Sequence, residues 1–121
     1  MTCLEVGKKL VALCKEGKFD EAMEQLYHPE IVSVEAAPMP GIGQEQRGIQ
    51  AVRQKGQWWS ENHTIHSAST EGPFPNGDRF GVHFIFDVTR KQTGERVKMD
   101  ELALYTVKNG RIVKEEFFYP T

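Results

Sequence analysis

Between Arg79 and Arg90 the chain alternates without a break. Phe80, Val82, Phe84, Phe86 and Val88 take one parity, and Gly81, His83, Ile85, Asp87 and Thr89 take the other. Successive residues of a strand point to opposite faces of a sheet, so this segment reads as a strand with one wholly apolar face. Such a face must be covered, and a one-residue slip would carry every phenylalanine to the wrong side. The chain is thereby limited to folds in which a sheet carries a layer of packed elements on one face.

The cover is written upstream. Thr2-Cys-Leu-Glu5 has the form of a capping box; Cys3, Gly7, Leu10, Val11 and Cys14 follow at helical spacing, with Gly17 as a stop. Phe19, Ala22, Met23, Leu26 and Tyr27 make a second amphipathic stripe, which Pro29 prevents from continuing. Ile31 to Ala36 alternates as a short strand, Pro38 to Arg47 reads as a loop, and Ile49, Val52, Gly56 and Trp59 lie on one stripe of a third helix. From Thr64 the period changes to two. Four strands follow, over Thr64–Gly72, Arg79–Arg90, Arg96–Lys108 and Arg111–Tyr119, with turns at Pro75-Asn-Gly77, Thr93-Gly94 and Asn109-Gly110. The expected fold is α+β: three N-terminal helices packed on the concave face of a strongly curved antiparallel sheet, in one domain over residues 1–121.

Register places the polar exceptions. If Val88 pairs with Val97, then Phe86 meets Met99, Phe84 meets Glu101, Val82 meets Ala103 and Phe80 meets Tyr105, an apolar ladder containing one carboxylate. Shifting by one would set Lys98 and Asp100 against the phenylalanines, which is worse. Glu101 is thus expected on the inner face, where desolvation raises a carboxyl pKa toward the range of a general acid or base; the plainer alternative is a buried, hydrogen-bonded structural glutamate. By parity Thr64, His66, Ala68 and Thr70 face inward on the preceding strand, making His66 the candidate partner base. A tight type I′ turn at Asn109-Gly110 would put Lys114, Glu116 and Phe118 on Glu101's face. Phe84, Met99 and Tyr105 complete the expected ligand-binding wall. Trp58 and Trp59, about 100° apart on their helix, are candidates for core and pocket mouth.

Other chemistries are disfavoured. Fifteen basic against 17 acidic residues give a net charge of −2, without the basic surplus of a nucleic-acid binder. No apolar run is long enough for a membrane span and no secretory leader is evident, so a cytoplasmic protein is expected. Cys3 and Cys14 would be roughly 16 Å apart on one helix, beyond disulfide reach. His63 and His66 fall on opposite faces of a strand with no completing ligands, so no metal is expected, and Gly41-Ile-Gly43 is no dinucleotide fingerprint. No cofactor is called for. On the outer face Ile85, Leu102 and Leu104, with Val113 and Phe117 beside them, form an apolar patch that suggests a homodimer.

The stretches "EGKFDEAMEQLYHPEIVSVEA" (Glu16–Ala36), "RGIQAVRQKGQWW" (Arg47–Trp59) and "ELALYTVKNGRIVKEEFFY" (Glu101–Tyr119), in this order of elements, resemble the cone-shaped, cystatin-like NTF2-like superfamily and its SnoaL-like branch. The resemblance implies a pocket between sheet and helices, frequent homodimers, and functions from isomerases and cyclases to pure binding modules. Of the three roles of the related ketosteroid isomerases, the general-base position falls on Ala36 and the oxyanion position near Leu10. Only the late-strand acid, at Glu101, has a counterpart. Two readings stand: a pocket protein acting on a hydrophobic or aromatic metabolite as isomerase, cyclase or hydrolase, with Glu101 and His66 as acid and base, or a non-catalytic ligand-binding or dimerisation module.

Overall fold

In the computed structural model, which describes residues 1–121, α1 (Cys3–Lys15), α2 (Phe19–Leu26) and α3 (Ile49–Asn62) cover one face of a six-stranded sheet. The strands are β1 (Tyr27–Met39), β2 (Gly43–Arg47), β3 (His63–Asn76), β4 (Arg79–Arg90), β5 (Arg96–Lys108) and β6 (Arg111–Phe118), in the spatial order β2-β1-β6-β5-β4-β3. All neighbours are antiparallel except β1 and β6, so the sheet is mixed. The expected loop from Pro38 to Arg47 contains a turn and then β2, which pairs back on β1 and lengthens that wall of the cone.

The start of α1 is fixed locally. Thr2 and Glu5 form the reciprocal capping box of α1, with the Thr2 amide donating to Glu5 and the Glu5 amide to Thr2 Oγ1. Val6, Leu10, Val11 and Cys14 of α1 and Ala22, Met23 and Leu26 of α2 are buried against the sheet. Gly7 is required by close packing: a Cβ there would stand 2.9 Å from Pro73 Cβ and 3.2 Å from Phe80 Cγ.

The β4–β5 register is the one the alternation predicts: Val88 with Val97, Phe86 with Met99, Phe84 with Glu101, Val82 with Ala103 and Phe80 with Tyr105. Phe80, Val82 and Val88 are fully buried and Phe84 and Phe86 nearly so. The Phe80 and Tyr105 rings stack at 5.0 Å, and Phe84 on Phe86 at 5.8 Å.

A β-bulge on each flanking strand resets the parity of the candidate side chains. On β3, Ile65 pairs with Val88 but Ser67 pairs with Asp87, leaving His66 as the extra residue. Ile65 therefore takes the inner parity, and Thr64, opposite Thr89, faces out. On β6, Asn109 and Gly110 both have positive φ, as a type I′ turn requires, and Val107 pairs with Ile112. The next pair is Thr106 with Lys114, so the register slips by one residue. Beyond the slip Glu115 opposes Tyr105 and Phe117 opposes Ala103, and these two face inward in place of Lys114, Glu116 and Phe118.

Candidate functional site

A cavity of about 190 Å³ opens between the concave sheet face and the helices. One side is apolar, with Leu10, Phe19 and Met23 from α1 and α2 facing Phe84 and Phe86 of β4. Trp59 stands beside them, its ring 5.3 Å from Phe86. The other side is polar and is made where α3, β1, β5 and β6 converge: Glu35, Lys55, Glu101, Tyr105 and Glu115.

These polar groups are wired together. Lys55 of α3 donates to Glu35 Oε2 at 2.8 Å and to Ser33 Oγ, and its ammonium lies 5.0 Å from the centre of the Phe117 ring. Ser33 in turn donates to Glu115 Oε2 at 2.7 Å, and Tyr27 donates to Glu115 Oε1. At the rim the Tyr119 hydroxyl donates to Glu35 Oε1 at 3.0 Å. Alternation supplies the geometry: Ile31, Ser33 and Glu35 share the inner face of β1, and Val52, Lys55 and Trp59 share a stripe of α3. A buried charge is stable only when paired and hydrogen-bonded, and Lys55, 7% exposed, meets both conditions.

Burial pushes the Glu101 carboxyl up to about 7; the nearby Glu35 charge adds to the rise and the Lys55 ammonium opposes it. Burial also raises Glu115, against the Lys55 charge and the donors from Tyr27 and Ser33. The Tyr27 and Tyr105 hydroxyls are driven well above their ordinary value by burial and by Glu115. Cys14, though it lines the cavity, is an inert thiol, pushed to about 12 by burial.

Residues 1–119 match the family model of the SnoaL-like domain. The chain belongs to the SnoaL-like family. No curated protein matches it. A solved structure from Mesorhizobium loti, provisionally named a SnoaL-like polyketide cyclase and also a carbohydrate phosphatase, is 50% identical, with 98% of this chain and 100% of that one covered and a TM-score of 0.93. An NTF2-like protein from Burkholderia thailandensis is similar at 19% identity, covering 99% and 92% of the two chains with a TM-score of 0.82. TerC, solved after co-crystallisation with polyporic acid, is 16% identical over 92% of this chain and 85% of its own, with a TM-score of 0.71. The last two likenesses concern the fold alone.

In this SnoaL-like cone Glu101, Phe84, Tyr105 and Trp59 line the cavity. Met99 packs half-buried against the core without reaching the cavity, and Trp58 stands off it, edge-on to His63 at 6.3 Å. His66 is corrected: the β3 bulge turns it to the outer face, where its Nε2 lies 2.7 Å from Thr89 Oγ1. Lys114, Glu116 and Phe118 are likewise on the outer face because of the β6 bulge, and Phe117, expected outside, is inside.

Glu35, Lys55 and Glu115 escaped the sequence reading. Lys55 had a signal, three residues after Val52 on an apolar stripe, and so did Glu35, which shares parity with Ile31. Glu115 had none, since only the bulge brings it inward.

Proposed function

We propose that this protein is a small-molecule acid–base catalyst, an isomerase or cyclase, that moves a proton on a carbon next to a carbonyl group. The observation that carries the reading is the Glu101 carboxyl, at about 7, in the wall of a largely apolar cavity beside a buried ammonium. A general base works best when its pKa lies near the working pH. Ionised Glu101 would take the proton, and the charge developing on the carbonyl oxygen would be met by Lys55. Two of the three Lys55 N–H donors are engaged by Ser33 and Glu35, which leaves one for the ligand. The proton would then return from Glu101 to a second carbon, or the carbanion would close a ring on another carbonyl carbon, whose oxygen, becoming an alkoxide, would take the proton back from Glu101. The polyketide-cyclase name given to the Mesorhizobium loti relative fits a substrate of this kind.

The apolar side of the cavity, formed by Phe19, Trp59, Phe84 and Phe86, favours an aromatic or otherwise hydrophobic body smaller than a drug-sized ligand. The reading is tested by the exchange of the α-protons of β-tetralone in D2O, followed by proton NMR. Exchange faster with the protein than in buffer, at neutral pH, is expected. A rate equal to buffer at every pH sinks the catalytic reading and leaves a binding module.

We also propose that the protein pairs with a second copy through the outer sheet face. Leu102 and Phe118 are directly opposite one another and are 57% and 51% exposed, with Ile85 and Leu104 beside them. The Asp87–Arg96 ion pair and the hydrogen-bonded His83 and Asp100 flank this patch, so each copy offers both signs to its partner. Light scattering of the wild type should give twice the 13.8 kDa chain mass. Leu102→Glu should give the single mass with the fold retained; a wild type that is already monomeric at micromolar concentration ends the proposal. The unpaired Cys3 and Cys14 fit a reducing, cytoplasmic setting.

A further inference from the structure

We propose that Glu115 is the positioning residue of the site: through Ser33 it holds the Lys55 ammonium with one N–H directed into the cavity. The inference rests on the reading that Lys55 donates to the oxygen of the ligand. Glu115 borders the cavity, yet its two oxygens are engaged by Tyr27 and Ser33, so it acts on a ligand through Lys55.

Donor and acceptor directions fix the arrangement. Ser33 has one hydroxyl proton and two lone pairs. An ammonium only donates, so Ser33 accepts from Lys55 with a lone pair and turns its single hydroxyl proton toward Glu115 Oε2, 2.7 Å away. Tyr27 holds the other oxygen and prevents the carboxylate from rotating. Four flexible methylenes carry the Lys55 ammonium, and with Ser33 as a fixed acceptor on one side and Glu35 on the other, the third N–H has a defined direction. An amide at position 115 reverses the bridge. With its oxygen on Tyr27, its NH2 group donates to Ser33, whose oxygen then meets two donors while its own proton loses its acceptor.

The test reads Lys55 directly, without a ligand. In protein labelled with nitrogen-15 at lysine, the ammonium signal of Lys55, identified by its disappearance in Lys55→Met, should be in slow exchange with water. In Glu115→Gln it should vanish or exchange about tenfold faster or more, and Ser33→Ala, which keeps the carboxylate and removes only the bridge, should do the same. A residue that only supported the fold would lower the melting temperature and leave this signal unchanged. If Glu115→Gln fails to fold, Ser33→Ala carries the test.

A second measurement uses para-nitrophenol, an aromatic oxyanion whose visible absorbance reports its ionisation. Affinity about tenfold weaker in Glu115→Gln than in the wild type is expected, equivalent to about 1.4 kcal/mol. A Lys55 signal in fast exchange in the wild type, or one unchanged by both substitutions, overturns the inference whatever the probe does. A signal that responds as expected while para-nitrophenol fails to bind the wild type upholds the positioning of Lys55 and removes its role toward the ligand.

Discussion

Glu101→Gln should lower the rate of α-proton exchange by about two to four orders of magnitude, the usual contribution of a positioned general base, and at the same time make the protein more stable above neutral pH. The amide keeps the volume of the side chain and cannot ionise. In the wild type the folded chain holds the Glu101 proton up to about 7, whereas an unhindered glutamate releases it near 4.5. Between these values the folded state binds more protons than the unfolded one, so the contribution of this group to stability is intact below 4.5 and is lost as pH rises through 7. The full loss is at most about 3.5 kcal/mol, at about 1.4 kcal/mol per pKa unit. Urea unfolding at pH 5 and pH 9 checks it: the variant should gain on the wild type by up to that amount at the higher pH. Parallel pH profiles for the two proteins would show a solvated Glu101 and remove the base from the proposed mechanism.

Lys55→Met should be the most destabilising substitution in the polar wall, at about 3–5 kcal/mol, because removing one partner of a buried pair strands the other. Glu35 and Glu115 would keep their burial and lose the one ammonium that faces both. A fall in melting temperature of more than about 10 °C is expected at pH 8. Acidification should shrink the difference, since protonated carboxyls no longer need the cation. Lys114→Met serves as the control: the Lys114–Glu116 pair is 3.6 Å apart with side chains 44% and 28% exposed, and its loss should cost less than about 1 kcal/mol. If both substitutions cost the same, the network around Lys55 contributes no more than a surface pair.

The same network explains why Ser33, a small polar side chain, is as fully buried as the Leu, Ile, Val and Phe side chains at the centre of the core. It is the only group joining the Lys55 ammonium to Glu115, and replacing it by an apolar residue would leave two charged groups without their shared partner. The outer face obeys the opposite rule. There His83 with Asp100 and Asp87 with Arg96 are partly solvated pairs that tolerate change, and the apolar Leu102 and Phe118 are the anomaly.

The sequence by itself determined the layers, the order of the elements apart from β2, and the position of Glu101. All three rest on periodicity. An unbroken run of apolar residues at every second position admits only one face inward, and on β4 and β5 that choice also excludes a register shifted by one, which would bury Lys98 and Asp100. Helix stripes and a capping box are equally local, and α1 and α3 begin where their residues predict. What the tertiary structure decided was parity beyond a bulge. One extra residue at His66 turns Thr64 and His66 outward while Ala68 and Thr70 keep the expected inner facing, and one at Val113 reverses everything after it on β6; no pattern in those segments announces either, since both strands carry mixed polar and apolar residues on each face. His66 therefore leaves the cavity and Glu115 enters it. Lys55 and Glu35 were legible as polar residues on apolar stripes, but their meaning was not. A buried charge becomes acceptable only when partners from other elements arrive within hydrogen-bond reach, and the partners of Lys55 lie 20 and 22 positions away in the chain, brought together by the closing of α3 over β1.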